Sequence, residues 1–206
     1  MGTDHFNSKA ATWDQDPDKV VRAADVAAAV AATVPLGSQT RLLEYGAGTA
    51  LVSQAFGDQV GSLTLVDNSS GMRAVMLDKV EAGTLPPGTR IWDLDLEHDV
   101  PAPAERFDVV VSSLVLHHVH DLARVLSGFA TLLQPGGWVA IADLDTEDGS
   151  FHSNTHDFDG PHGFDRAALT AALESAGFVE VSVVNCTTIT KDETDYPVFL
   201  ATARRP

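Results

Sequence analysis

Three acids close three short apolar runs in this chain. They are Glu44 in Leu42-Leu-Glu-Tyr45, Asp67 in Leu63-Thr-Leu-Val-Asp67 and Asp93 in Thr89-Arg-Ile-Trp-Asp93. Directly after the first comes Gly46-Ala47-Gly48-Thr49. Two glycines there let a backbone approach a ligand closely, and the amides at the start of the next helix are bare donors. Asp67 follows the turn by roughly twenty residues, the spacing at which a carboxylate accepts from both hydroxyls of a ribose in doubly wound folds. Asn68 stands beside it. Asp93 is placed to accept from an adenine amino group, with Leu94 and Met72 against the ring faces. An acid after a strand is also a common helix cap or solvated turn. Three at equivalent positions favour one shared ligand edge.

The glycine pattern separates ligand classes. A dinucleotide fingerprint beginning at Gly46 needs a third glycine at position 51, where Leu51 stands, and Glu44 would repel a pyrophosphate. Nicotinamide and flavin dinucleotides are therefore disfavoured. S-adenosylmethionine has no phosphate and carries a sulfonium and an ammonium, so Glu44 becomes an attraction. Histidines gather further along. His117 and His118 follow the run Phe107–Ser113, and His152, His156 and His162 lie in an irregular stretch after Asp143. Methyl transfer from a sulfonium is an in-line displacement that needs alignment and exclusion of water more than side-chain chemistry. Where the acceptor is a hydroxyl or a protonated amine, a base helps, and His118 or His117 is the candidate. Asp143, His152, His156 and His162 are candidates for the acceptor pocket. One of two adjacent histidines usually points away from a shared ligand, and loop histidines are commonly just exposed. The histidine and acid spacings match no zinc or facial-triad pattern, so no metal is expected.

The elements that must position these residues alternate. Asp18 to Val34, with Pro17 in its first turn, reads as a leading helix. Strand Arg41–Tyr45 runs through the glycine turn into helix Thr49–Phe56, and strand Ser62–Asp67 into helix Ser69–Val80 with a serine cap. Strands Thr89–Asp93 and Phe107–Ser113, helix Val119–Leu133 and strand Trp138–Asp143 follow, the last after Pro135-Gly-Gly137. This alternation predicts a parallel sheet covered on both faces. Asp145 to Gly163 breaks the rhythm and reads as a lid or substrate loop. Helix Phe164–Gly177 and two strands, Val179–Thr190 and Tyr196–Ala203, complete the chain.

With 206 residues and 44% hydrophobic content, one α/β domain spanning 1–206 is expected to fill its core without metal or disulfide. The single cysteine, Cys186, sits in a β-branched run and reads as structural. There is no run of eighteen apolar residues and no signal-like stretch near Met1, which predicts a soluble, cytoplasmic protein with no membrane partner. Twenty-nine acidic against 13 basic residues give a net charge of -16, a field that repels nucleic acid.

Leu42-Leu-Glu-Tyr-Gly-Ala-Gly-Thr49, Leu65-Val-Asp67, Trp92-Asp-Leu94, Phe107-Asp-Val-Val-Val-Ser-Ser-Leu-Val-Leu-His-His118 and Leu133-Gln-Pro-Gly-Gly137 resemble the class I S-adenosylmethionine-dependent methyltransferases over nearly the whole chain. The likeness is greatest to the small-molecule branch that includes ubiquinone and menaquinone biosynthesis enzymes. It implies a Rossmann-like, doubly wound seven-stranded sheet with an antiparallel C-terminal hairpin. It also implies S-adenosyl-L-methionine as cofactor, with S-adenosyl-L-homocysteine as product, and a small-molecule acceptor. Cofactor roles carry onto Glu44, Gly46, Gly48, Asp67, Asp93 and Ser112, with Ala47, Thr49, Asn68, Met72 and Leu94 around them. Ala50 departs from members that have a third glycine there. Residues 1–35 become a helical cap, in which Phe6 to Asp14, with Trp13, folds over the pocket. A surface-packed Trp13 is the other reading. Ser112-Ser-Leu114 stands where amide and adenine N-methylases carry an Asn-Pro-Pro-aromatic motif. Two other readings stay open: a non-catalytic cofactor-binding regulatory or assembly protein, and a nicotinamide dehydrogenase.

Overall fold

The computed structural model describes residues 3–98, 104–153 and 158–206. Helix α1 (Thr3–Lys9) leads through a 3-10 turn, Ala10–Gln15, into α2 (Pro17–Thr33), whose Asp16 cap accepts from the Asp18 amide. Then come β1 (Arg41–Tyr45), α3 (Leu51–Phe56), β2 (Ser62–Val66), α4 (Ser70–Glu81), β3 (Arg90–Trp92) and β4 (Phe107–Ser113). A 3-10 turn at Leu116–His118 precedes α5 (Leu122–Leu132), followed by β5 (Leu133–Leu144), α6 (Arg166–Ser175), β6 (Val179–Lys191) and β7 (Thr194–Arg204). Ser69, Asp121 and Asp165 cap α4, α5 and α6, each side chain accepting a backbone amide three residues on.

The sheet runs β3-β2-β1-β4-β5-β7-β6, parallel except for β7, which lies antiparallel to both β5 and β6. This is the doubly wound sheet with antiparallel end that the resemblance implies. The order in which strands are added reverses between β1 and β4, so the crevice beyond their carboxyl ends is the switch point where such sheets take ligands. Successive β1 residues feed opposite faces. Leu42 joins Val26, Val30 and Leu65 on the α2–α3 side, and Leu43 joins Leu126, Phe129 and Ile141 on the α5–α6 side.

Three of the boundaries that differ from the periodicity have a local cause. Helix α3 begins at Leu51 because Ala50 is left-handed, at φ +67°. Helix α5 begins at Leu122, since its Asp121 cap accepts from the Arg124 amide and residues 116–118 are spent on the 3-10 turn. Strand β5 starts at Leu133, opposite Phe107, and reaches Trp138 across a register shift in its pairing with β4. Among the described residues no helix is long and apolar enough to cross a membrane.

The N-terminal segment is pinned onto α4. The Asn7 side-chain carbonyl accepts from the Gly71 amide at 2.9 Å and from the Ser69 hydroxyl at 2.7 Å. A Cβ on Gly71 would stand 2.9 Å from the Asn7 backbone, so glycine permits this approach.

Candidate functional site

One cleft of about 610 Å³ opens at the carboxyl ends of β1, β2 and β4. Its floor is the glycine turn, where Gly46 at φ +68° and Gly48 at φ +56° take left-handed backbone. A Cβ on Gly46 would overlap the Val115 side chain, so that glycine also fits against the far wall.

Glu44 is almost wholly buried at the turn's base and lines the cleft. The Ser53 amide donates to it at 3.0 Å, and the Ser53 hydroxyl donates to the same oxygen. Burial pushes its carboxyl up to about 7 against these donors. Asp67 accepts from the Gly48 amide and the Ser69 amide, each at 2.8 Å, one per carboxylate oxygen, which fixes its plane and leaves a lone pair on each. Burial raises it too, with the two amides opposing. Ala47, Thr49, Asn68, Met72 and Leu94 also line the cleft.

Asp93 does not line it. Its carboxylate is exposed and pairs at 2.8 Å with Arg73 of α4, one residue after β3 ends at Trp92. Asp95 lines the cleft instead, accepting from the Asn68 amide group at 3.3 Å and from the Glu97 backbone amide at 2.9 Å. Burial favours its neutral form, but hydrogen bonds from His98, Glu97 and Asn68 outweigh that and hold it below the usual carboxylate range. Ser112 is also out of reach. In register with Tyr45 and Ile141, it faces the core on the α5–α6 side, and Ser113 and Leu114 take the cleft edge.

The opposite wall carries histidines. His117 and His118 come from the 3-10 turn after β4, and His152 from a second 3-10 turn, Ser150–His152, within the irregular stretch. Nδ1 of His117 lies 2.6 Å from Oδ1 of Asp143, which is itself fully buried behind the cleft. Asp143 also accepts from the Leu116 amide at 2.9 Å and the Leu144 amide at 2.8 Å. A carboxylate so placed only accepts, so His117 carries its hydrogen on Nδ1 and Nε2 is its free nitrogen. Burial pushes His118 down to about 2, with His117 and His152 adding to the shift. His162 is not part of the wall. It is half exposed, 3.3 Å from Glu147. His156 lies outside the described residues.

The leading segment supplies the roof. Phe6 and Trp13 line the cleft, and Asp14 ties the segment to the glycine turn. The Thr49 hydroxyl donates to Asp14 at 2.5 Å, and Lys79 pairs with it at 2.6 Å. Lys191, from the far end of β6, closes the remaining side and donates to the Phe151 carbonyl. No sequence pattern marks Lys191, because only the hairpin brings it there. Asp95 carried a signal, an acid two residues beyond a strand, that the nearer Asp93 masked.

A methyltransferase-domain family model matches residues 17–183. An uncharacterized methyltransferase of Schizosaccharomyces pombe is 30% identical over 150 residues, 70% of this chain and 50% of that protein. A ubiquinone biosynthesis O-methyltransferase of Albidiferax ferrireducens is 30% identical over 118 residues, 57% of this chain and 46% of that protein. The chain thus spans about half the length of these curated relatives. The structure of N-methyltransferase NodS from Bradyrhizobium japonicum, solved with S-adenosyl-L-homocysteine, matches the fold at TM-score 0.74 and 18% identity, covering 98% of this chain and 97% of that one. With the family model covering most of the sequence and the sheet in this strand order, the chain belongs to the class I S-adenosylmethionine-dependent methyltransferases.

Proposed function

We propose that the protein transfers a methyl group from S-adenosyl-L-methionine to a small-molecule acceptor by in-line displacement, releasing S-adenosyl-L-homocysteine. The observation that carries this reading is one continuous cleft lined by the buried Glu44 and the part-buried Asp67 and Asp95 as well as by His117, His118 and His152. The acids fit the cofactor's chemistry. Glu44 offers a carboxylate to a cation, Asp67 offers two oriented acceptors to ribose hydroxyls, and Asp95 takes the place at the adenine end expected of Asp93. Met72 and Leu94 are the apolar surfaces for a ring. The same acids would repel a pyrophosphate.

When bound, S-adenosyl-L-methionine supplies a methyl group made electrophilic by the sulfonium. The chain's part is to align and to keep water out. Phe6 and Trp13 roof the cleft, and Phe151 and His152, from the 3-10 turn at Ser150–His152, close its acceptor side. Asp143 holds His117 so that Nε2 can take a hydrogen from an acceptor hydroxyl or amine. His118, held near 2, is too weak a base for that task at neutral pH and shapes the wall instead.

Calorimetric titration with S-adenosylmethionine, S-adenosylhomocysteine and NADH tests the cofactor assignment. Binding of the first two alone is expected, and NADH binding or silence in all three overturns it. Incubation with methyl-labelled cofactor and a panel of phenols, catechols and amines then tests transfer. No labelled product from a cofactor-binding protein would favour the non-catalytic reading.

A further inference from the structure

Two separate segments bring three imidazoles together at the acceptor end. One ring nitrogen from each of His117, His118 and His152 lies within 4.8 Å of the others. The 3-10 turn sets His117 and His118 on one side despite their adjacency, with ring centroids 4.1 Å apart, and His152 stands 5.2 Å and 5.4 Å from them. Nδ1 of His118 and Nδ1 of His152 are buried with no hydrogen-bond partner. Buried polar atoms left in this way are rare and require an explanation.

We propose that His117, His118 and His152 bind a divalent transition metal ion of the zinc type, braced from behind by Asp143. Three neutral nitrogens with a fourth position open is the donor set of metal sites that also take a substrate atom. The Asp143–His117 hydrogen bond is the carboxylate–histidine arrangement that fixes a ligand's tautomer and leaves Nε2 for the ion. Nitrogens about 2.1 Å from one ion lie roughly 3.4 Å apart, so the rings close on it by movements of about an ångström. Phe158 stacks on His152 with centroids 3.7 Å apart, and Phe6 meets His118 edge-on, giving the site an apolar surround. The sequence spacing concealed it because two ligands are neighbours and the third comes from another turn. An ion there acidifies a hydroxyl in its open position. In that use the site rests on the methyl-transfer reading, and with the ion present His117 serves as ligand rather than proton acceptor. Ion binding itself does not depend on that reading.

Chelator-stripped protein is titrated with Zn²⁺, and separately with Co²⁺ followed by visible absorption. One equivalent of Zn²⁺ is expected to bind, with the intense bands of four-coordinate Co²⁺. His118→Ala and His152→Ala should each weaken Zn²⁺ at least about a hundredfold, and Asp143→Asn about ten- to a hundredfold. Asp95, Glu97 and His98 form the other cluster of suitable donors among the described residues, so His98→Ala is the control and should leave affinity unchanged. No saturable binding, binding indifferent to both histidine variants, or binding lost with His98→Ala overturns the proposal. Titration of the same stripped protein with S-adenosylhomocysteine keeps the two readings apart, since cofactor binding without Zn²⁺ binding removes the ion site alone.

Discussion

Oδ1 of Asp143 lies 2.6 Å from Nδ1 of His117, with both side chains shut away from solvent. The same carboxylate takes the Leu116 and Leu144 amides, so one residue of β5 locks the turn that carries the histidines. Asp143→Asn keeps the shape but turns one acceptor into a donor facing an N–H. It is expected to cost about 1–3 kcal/mol, read as a lower urea midpoint at pH 7. An unchanged midpoint would mean that these amides are not held by the carboxylate.

Glu44 makes stability depend on pH. Its carboxyl is raised to about 7 when folded and titrates near 4.5 when unfolded. Between those values the folded state holds the extra proton, so this group's stabilisation is complete below pH 4.5 and is lost as pH rises through 7. The gap corresponds to about 3 kcal/mol for this fully buried group. Urea unfolding from pH 4.5 to 8 is expected to show wild type losing that much relative to Glu44→Gln. Parallel profiles would refute it.

Gly46→Ala meets two separate penalties. A left-handed alanine costs about 1–2 kcal/mol, and its methyl overlaps Val115. Val115→Ala in the same background should recover the overlap and leave the backbone cost. A double-mutant cycle by chemical denaturation measures the split, and purely additive effects would show that the two residues do not touch.

Asp95 and Asp93 make opposite predictions two residues apart. Asp95→Ala should weaken S-adenosylhomocysteine about tenfold, near 1.4 kcal/mol. Asp93→Ala removes an exposed carboxylate that pairs with Arg73, for which unchanged affinity is expected. The reverse order in calorimetry would return the adenine end to Asp93.

The backbone skeleton was legible because the signals that fix it are local. Apolar runs ending in Glu44 and Asp67, glycines that permit left-handed turns, and serine or aspartate caps each act within a few residues. Asp93 and Ser112 were expected at the cofactor and lie outside the cleft lining for one reason, that side-chain direction at the end of a strand depends on register and on where the pleat stops. The histidine wall was half legible. Adjacency argued against His117 and His118 acting together, and only the 3-10 turn reverses that. Lys191 was illegible, because its place is decided by a hairpin that inserts β7 between β5 and β6.

The cleft is walled by Phe6 and Trp13 from the first turns of the chain and by Thr190 and Lys191 from its last hairpin. During synthesis the glycine turn and the acids leave the ribosome long before Lys191, and β5 must wait for β7 to cover its edge. Ligand stabilises only molecules able to bind it. A chain that has the glycine turn but not yet the hairpin therefore lacks one wall of the cleft, and ligand stabilises it less than a chain in which both walls have closed.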